Sequence, residues 1–371
     1  MINKKVGLYL HIPFCVRKCA YCDFYSVPYD YQLATSYVDA LVLEIERVAK
    51  MHNSVSIDTI YIGGGTPSLL PPILLDSIFK AIYNNFKGDI SECTIEVNPH
   101  SAHHFLEYKS MGINRISMGV QSLDDRVLKL IGRQHDAQTA ISSLQDAHKY
   151  FDNVSADLII GMPTQTMQSV ISSIEEVSDY VTHISQYMLK LSRSVPMQAD
   201  IDRGVLCLPS DDTTCDMYDL AYEKMRELGF KRYEISNFAR ENKVSLHNLK
   251  YWQRAENLAC GAGAYSYIDN IRYDNPNNII EYINGVNYGG GAANAVTLTK
   301  EDALFEHIML GFRLESGFDI AEINRIYDID FVNKYAKPLN YLGSHLVIDN
   351  GRIAVNPKSM LLESAIARSF L

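Results

Sequence analysis

Six short apolar runs, each followed by a stretch of helical period, organise the first half of the chain. Residues 6–12, 57–62, 93–97, 115–120, 157–160 and 184–189 read as strands. Between the first two, Leu33, Tyr37, Leu41, Ile45 and Val48 recur at helical spacing, with Glu44 and Glu46 placed outside that stripe. Helical periods also cover the stretch up to residue 86, residues 101–111, two segments separated near Arg133, and residues 166–180. Six strand-then-helix units predict a parallel sheet, because parallel neighbours need a crossover between them. Right-handed crossovers allow the sheet to curl into an open (β/α)6 partial TIM-type barrel, while periodicity alone leaves a flat doubly wound sheet open. Beyond Ser192 the regularity weakens. A helix over 211–228 stops at Gly229, and residues 260–266 form a small-residue turn. Gly289-Gly290-Gly291-Ala292-Ala293 reads as a linker, and helices over 301–313 and 320–327 suggest a small mixed C-terminal domain. The expected division is a barrel with its extension over residues 1–290 and a small domain over 291–371.

The first strand runs straight into Cys15, Cys19 and Cys22, a Cys-x3-Cys-x2-Cys cluster. Three thiolates at this spacing can hold three irons of a cubane 4Fe-4S cluster. The fourth iron then keeps an open position, as catalytic metal sites do. Zinc is the alternative, with His11 as a fourth ligand, although zinc sites usually present two separated ligand pairs.

Composition narrows the field. Hydrophobic residues are 47% and charged residues 21% of the 371, an ordinary globular balance. No apolar run reaches the roughly 18 residues that span a bilayer, and the N-terminus does not read as a secretory signal. Seven cysteines, three of them clustered, fit a reducing compartment, so the expected location is the cytoplasm. A net charge of −10 without a Lys/Arg block argues against nucleic acid as partner.

In parallel α/β folds, ligands sit beyond the C-terminal strand ends. Those ends carry Gly64, Gly65 and Thr66, then Glu96, then Gln121, and Asp157 lies within the fifth strand. Taken singly, the glycines are a tight turn and the carboxylates are solvated or capping groups. No Lys-Ser/Thr follows the glycines, so this is not a phosphate-binding Walker loop.

Together with Tyr9-x-His11-x-Pro13-Phe14 and the cysteines, these residues resemble the radical S-adenosylmethionine (SAM) superfamily and its anaerobic coproporphyrinogen III oxidase family. The resemblance favours the open barrel and implies a 4Fe-4S cluster on Cys15, Cys19 and Cys22. It implies that Tyr9, Gly64 and Glu96 contact cluster-bound SAM. Gly65, Thr66, Gln121, Arg133 and Asp157 match residues that hold a second SAM in the oxidase. Two departures point to a sister branch of haem chaperones: Phe24 stands where the oxidase has a further cysteine, and only five residues precede Val6. His247-Asn248-x-x-Tyr251-Trp252 also fits that branch and makes His247 the candidate haem ligand, although Tyr265 stands where the branch typically has histidine. The resemblance thus implies a chaperone that binds haem, a cluster and SAM and passes haem to an acceptor protein. Oxidative decarboxylation of coproporphyrinogen III is the alternative, and a radical reaction on another substrate such as RNA a third.

Overall fold

The computed structural model describes residues 4–289 and 294–371. The expected linker therefore lies, apart from Gly289, outside the described residues. All six expected strands are present: β1 (Lys4–Ile12), β2 (Val55–Gly64), β3 (Glu92–Val97), β4 (Arg115–Gln121), β5 (Val154–Ile160) and β6 (His183–Met188). They are parallel and lie side by side in chain order. A doubly wound sheet would reverse its order at a switch point. There is none between β1 and β6.

The sheet continues past both ends. β7 (Lys231–Glu234) and β8 (Asn237–Ala239) extend it antiparallel beyond β6. On the other flank β9 (Asn257–Cys260) pairs parallel with β1, Gly7 opposite Asn257. β10 (Tyr265–Ile268), β11 (Ile271–Asp274) and β12 (Asn294–Thr297) follow it antiparallel, giving twelve strands in all. The sequence placed only a turn near Cys260; its four-residue strand is too short to show a period.

Alternation within the strands assigns the two faces. Leu8, Leu10, Ile60, Ile62, Ile95, Ile116, Met118 and Ala156 are fully buried in the main core with the flanking helices. The other face carries Thr59, Tyr61, Thr94, Glu96, Ser117, Asp157 and Ser185, so the concave side of the sheet is polar. Glu44 departs from its expected exposed place. It is 7% exposed, and its carboxylate accepts from Gly261 N (2.8 Å), Asn275 Nδ2 (2.6 Å) and the Tyr282 hydroxyl (2.6 Å). Three donors replace the water that a buried carboxylate loses. They come from residues that a helical period cannot see.

A second core gathers Phe312, Phe318, Phe331 and Phe370 around the sheet of Phe318–Asp319, Leu346–Asp349 and Arg352–Val355. It joins the large sheet through backbone bonds from Ile235 N to Arg313 O (3.0 Å) and Glu315 N to Tyr233 O (3.0 Å). The Arg313 guanidinium also lies 4.4 Å over the Trp252 ring.

Candidate functional site

A cavity of about 410 Å³ opens at the C-terminal ends of the parallel strands. Its walls come from the cysteine loop after β1 and from Tyr187 and Met188 at the end of β6. Residues from the two flanks of a six-stranded run meet here because the sheet is curled.

The cysteine loop is fastened on several sides. Phe14–Cys15 pairs with Val27–Pro28. Ala20 donates its N–H to Ile131 O (3.1 Å) and accepts from Met197 N (3.0 Å). Cys15, Cys19 and Cys22 are all free and half-buried, and all three line the cavity. Among the described residues no three His, Cys, Asp or Glu side chains are gathered as one metal ion requires. Both His11 ring nitrogens are engaged, Nδ1 with the Tyr9 hydroxyl (3.0 Å) and Nε2 with Tyr25 O (3.2 Å). This ring is not placed as the fourth ligand of a zinc site.

A hydrogen-bonded arc ties the sulfurs to the strand ends. Arg133 Nη1 donates to Cys19 Sγ at 3.6 Å, and Nη2 donates to Asn98 Oδ1 at 2.8 Å and to Gly119 O. Asn98 Nδ2 donates to Thr66 Oγ1 at 2.8 Å, and that oxygen lies 3.8 Å from Cys15 Sγ. Arg133 Nε has no partner among the described residues. Asn98 was not singled out in the sequence, where it reads as the end of a strand before proline.

Two of the glycines are needed by the protein itself. Gly64 has φ +117°, and a Cβ there would lie 2.6 Å from the His11 ring. A Cβ on Gly65 would meet Phe14 O at 2.5 Å, and Gly65 N donates to Ile12 O at 2.9 Å. Gly64 and Gly65 thus let the loop after β2 lie against the entry of the cysteine loop.

Glu96 accepts from the Tyr61 hydroxyl (3.0 Å) and from Gly64 N (3.0 Å). Burial, reinforced by the nearby Asp157 carboxylate, pushes its pKa up to about 7. Asp157 is raised by burial as well, against hydrogen bonds that include Ser117 Oγ at 3.1 Å. Gln121 sits at a break in the β4–β5 register with φ 69°, a left-handed conformation uncommon for a residue with a side chain. Gly64, Gly65, Thr66, Glu96, Gln121, Arg133 and Asp157 all line the cavity with the cysteines.

Tyr9 and His247 do not line it. The Tyr9 ring stacks on Tyr61 (6.2 Å between centroids), which separates it from the open space. His247 is 1% exposed; its Nδ1 is 2.9 Å from Thr59 Oγ1 and its Nε2 2.9 Å from the Tyr251 hydroxyl. Burial holds its pKa down at about 3. Both nitrogens are occupied inside the protein, so as the expected haem ligand this ring would have to give up one of these bonds. Trp252, of the same motif, packs under Arg313 at the joint between the two cores. Tyr61 and Tyr187 line the cavity and were also missed in the sequence. Their alternation with apolar strand residues was the available signal.

Comparison with known proteins places this geometry in a lineage. Residues 9–177 match the Radical SAM superfamily and residues 298–362 the HemN C-terminal domain. The heme chaperone HemW of Lactococcus lactis is 32% identical over 380 aligned positions, covering 100% of this chain and 98% of that one. The chain belongs to the HemW family of radical SAM proteins. HemW of Bacillus subtilis is 32% identical, with 98% of each chain covered. The mouse mitochondrial radical S-adenosyl methionine domain-containing protein 1 is 32% identical over 85% of this chain and 74% of its own. Among solved structures, coproporphyrinogen III oxidase (HemN) of Escherichia coli superposes with TM-score 0.85 at 24% identity, covering 99% of this chain and 90% of that one. It shares the fold, open barrel and small C-terminal domain included.

Membership of the superfamily implies a 4Fe-4S cluster and SAM, and the residues present fit both. Three free thiols share one fastened loop, a half-buried guanidinium donates to one of them, and polar side chains line a cavity beside them. No helix among the described residues is long and apolar enough to cross a membrane.

Proposed function

We propose that this protein binds haem together with a 4Fe-4S cluster and SAM, and hands the haem to an acceptor protein in the cytoplasm. The observation that carries the reading is end-to-end similarity to chains named heme chaperones, including 98% of the Lactococcus protein. The cavity supports it with a place for the cofactors.

Cys15, Cys19 and Cys22 are the proposed cluster ligands. When bound, the cluster supplies an electron and an open iron that SAM can chelate. Arg133, Asn98 and Thr66 hold the loop that carries the thiols. Glu96, fixed by Tyr61 and Gly64 N, keeps lone pairs free to accept from the amino or ribose groups of SAM. Gly64 provides close approach beside it, and Tyr9 acts through Tyr61. Gly65, Thr66, Gln121, Arg133 and Asp157 form the wall where a second SAM would lie. The net charge of −10 supports a partner other than nucleic acid.

Coproporphyrinogen decarboxylation is the alternative. Phe24, at the cavity rim and 66% exposed, stands where the oxidase has a cysteine, which favours the chaperone. One anaerobic experiment separates the two. Reconstituted protein is titrated with haem, mixed with a haem-free acceptor, and assayed with coproporphyrinogen III, SAM and a reductant. Binding of about one haem per chain, its transfer, and no decarboxylated product is the expected result. Product above the level of a Cys15→Ala control, or no haem binding, overturns the reading.

A further inference from the structure

The geometry points to the rim of the cavity as the haem-binding platform, with His100 as the axial ligand. The inference rests on the haem-binding reading above and gives it a place.

Of the eleven histidines in the chain, two line the cavity, His100 and His135. His135 is 6% exposed and its Nε2 is 3.1 Å from Val120 O, which commits the ring to the protein. His100 is exposed, and among the described residues its ring has no hydrogen-bond partner. Its mount is nevertheless rigid. It sits in the short 3-10 turn Pro99–Ser101, where Ser143 Oγ donates to Pro99 O (3.0 Å) and Ser101 Oγ meets Ser68 Oγ (2.6 Å). A free imidazole on a fixed turn is what an iron ligand needs: an available lone pair and little freedom to lose.

The rest of the rim complements the remaining parts of haem. Its two propionates are anionic, and Arg17, Lys18 and Lys190 line the cavity exposed, none of them in an ion pair among the described residues. Asp23 is the opposing charge on the same rim. On a chain of net charge −10, three unpaired cations around one opening form a local exception that suits a dicarboxylate. The porphyrin plane is apolar, and Val16, Phe24 and Met188 line the same opening at 51%, 66% and 36% exposure. Large apolar side chains held this far into solvent beside a cavity mark a contact surface.

The test titrates ferric haem anaerobically into cluster-loaded protein, reading the Soret band and affinity. Wild type, His100→Ala, His247→Ala and an Arg17→Ala/Lys18→Ala double variant are compared at equal iron–sulfur content. His100→Ala is expected to weaken binding at least tenfold and to change the Soret spectrum. The double variant should weaken it several-fold, with a smaller salt dependence than wild type. His247→Ala should retain the wild-type spectrum. If wild type binds haem and His100→Ala keeps its affinity and spectrum, the platform is wrong and the haem reading stands. If wild type binds no haem, the reading itself fails.

Discussion

Arg133 and Cys19, far apart in sequence, meet at 3.6 Å from guanidinium nitrogen to sulfur. A hydrogen bond and a positive charge at a cluster thiolate favour the more negative, reduced state. Replacing Arg133 with Gln should therefore shift the cluster's midpoint potential to more negative values. A tenfold weaker hold on the reduced state corresponds to about 59 mV for one electron. Spectroelectrochemistry on variants with matched iron content measures this, and an unchanged potential would reduce Arg133 to a loop fastener.

The three cavity thiols should be indispensable to the cluster and the others dispensable. Cys15→Ala, Cys19→Ala and Cys22→Ala are each expected to lose the roughly four irons per chain of reconstituted protein. Cys207→Ala, at an exposed position off the cavity, should keep them. Iron and sulfide analysis decides it. A Cys19→Ala chain that keeps a full cluster would refute the ligand set.

His247 should behave as a structural residue. Its removal leaves Thr59 and Tyr251 without their partner in a buried setting, which costs about 1–3 kcal/mol. Chemical denaturation of His247→Ala should show a loss of that size. Unchanged stability together with weakened haem binding would return the ring to function.

Glu234 supplies a pH signature. It is fully buried, Oε2 has no partner among the described residues, and burial raises its pKa from 4.5 to about 7 despite Arg313. A carboxyl with a raised folded pKa favours the fold while protonated. Its contribution is complete below about 4.5 and is lost as pH rises to about 7. At 1.36 kcal/mol per unit, the loss is at most about 3 kcal/mol. Glu234→Gln cannot ionise, so wild type should lose stability relative to the variant between pH 5 and pH 8. Parallel stability curves over that interval would contradict the assignment.

The strand pattern and the cysteine loop were legible in the chain because both are local. Alternation marks a strand within a few residues, and Cys15, Cys19 and Cys22 lie within one loop. What stayed hidden depends on distant partners. Glu44 reads as surface until Gly261, Asn275 and Tyr282 close around it. The motif of His247 and Trp252 does not show that Thr59 and Arg313 hold these rings from elsewhere in the chain. Asn98 reveals its place only where Arg133 and Thr66 meet it.

The pairing of Gly7 with Asn257 has a consequence for how the protein is made. The strand that leads to the cysteines is translated well before its outer neighbour, which comes last of the seven parallel strands. Until β9 arrives, the Gly7–Leu10 edge of β1 offers unpaired N–H and C=O groups to any passing chain. Such late, long-range closure slows folding and prolongs exposure to aggregation. A nascent chain stopped before residue 257 would be left with a sticky margin along the strand that carries the cysteine loop.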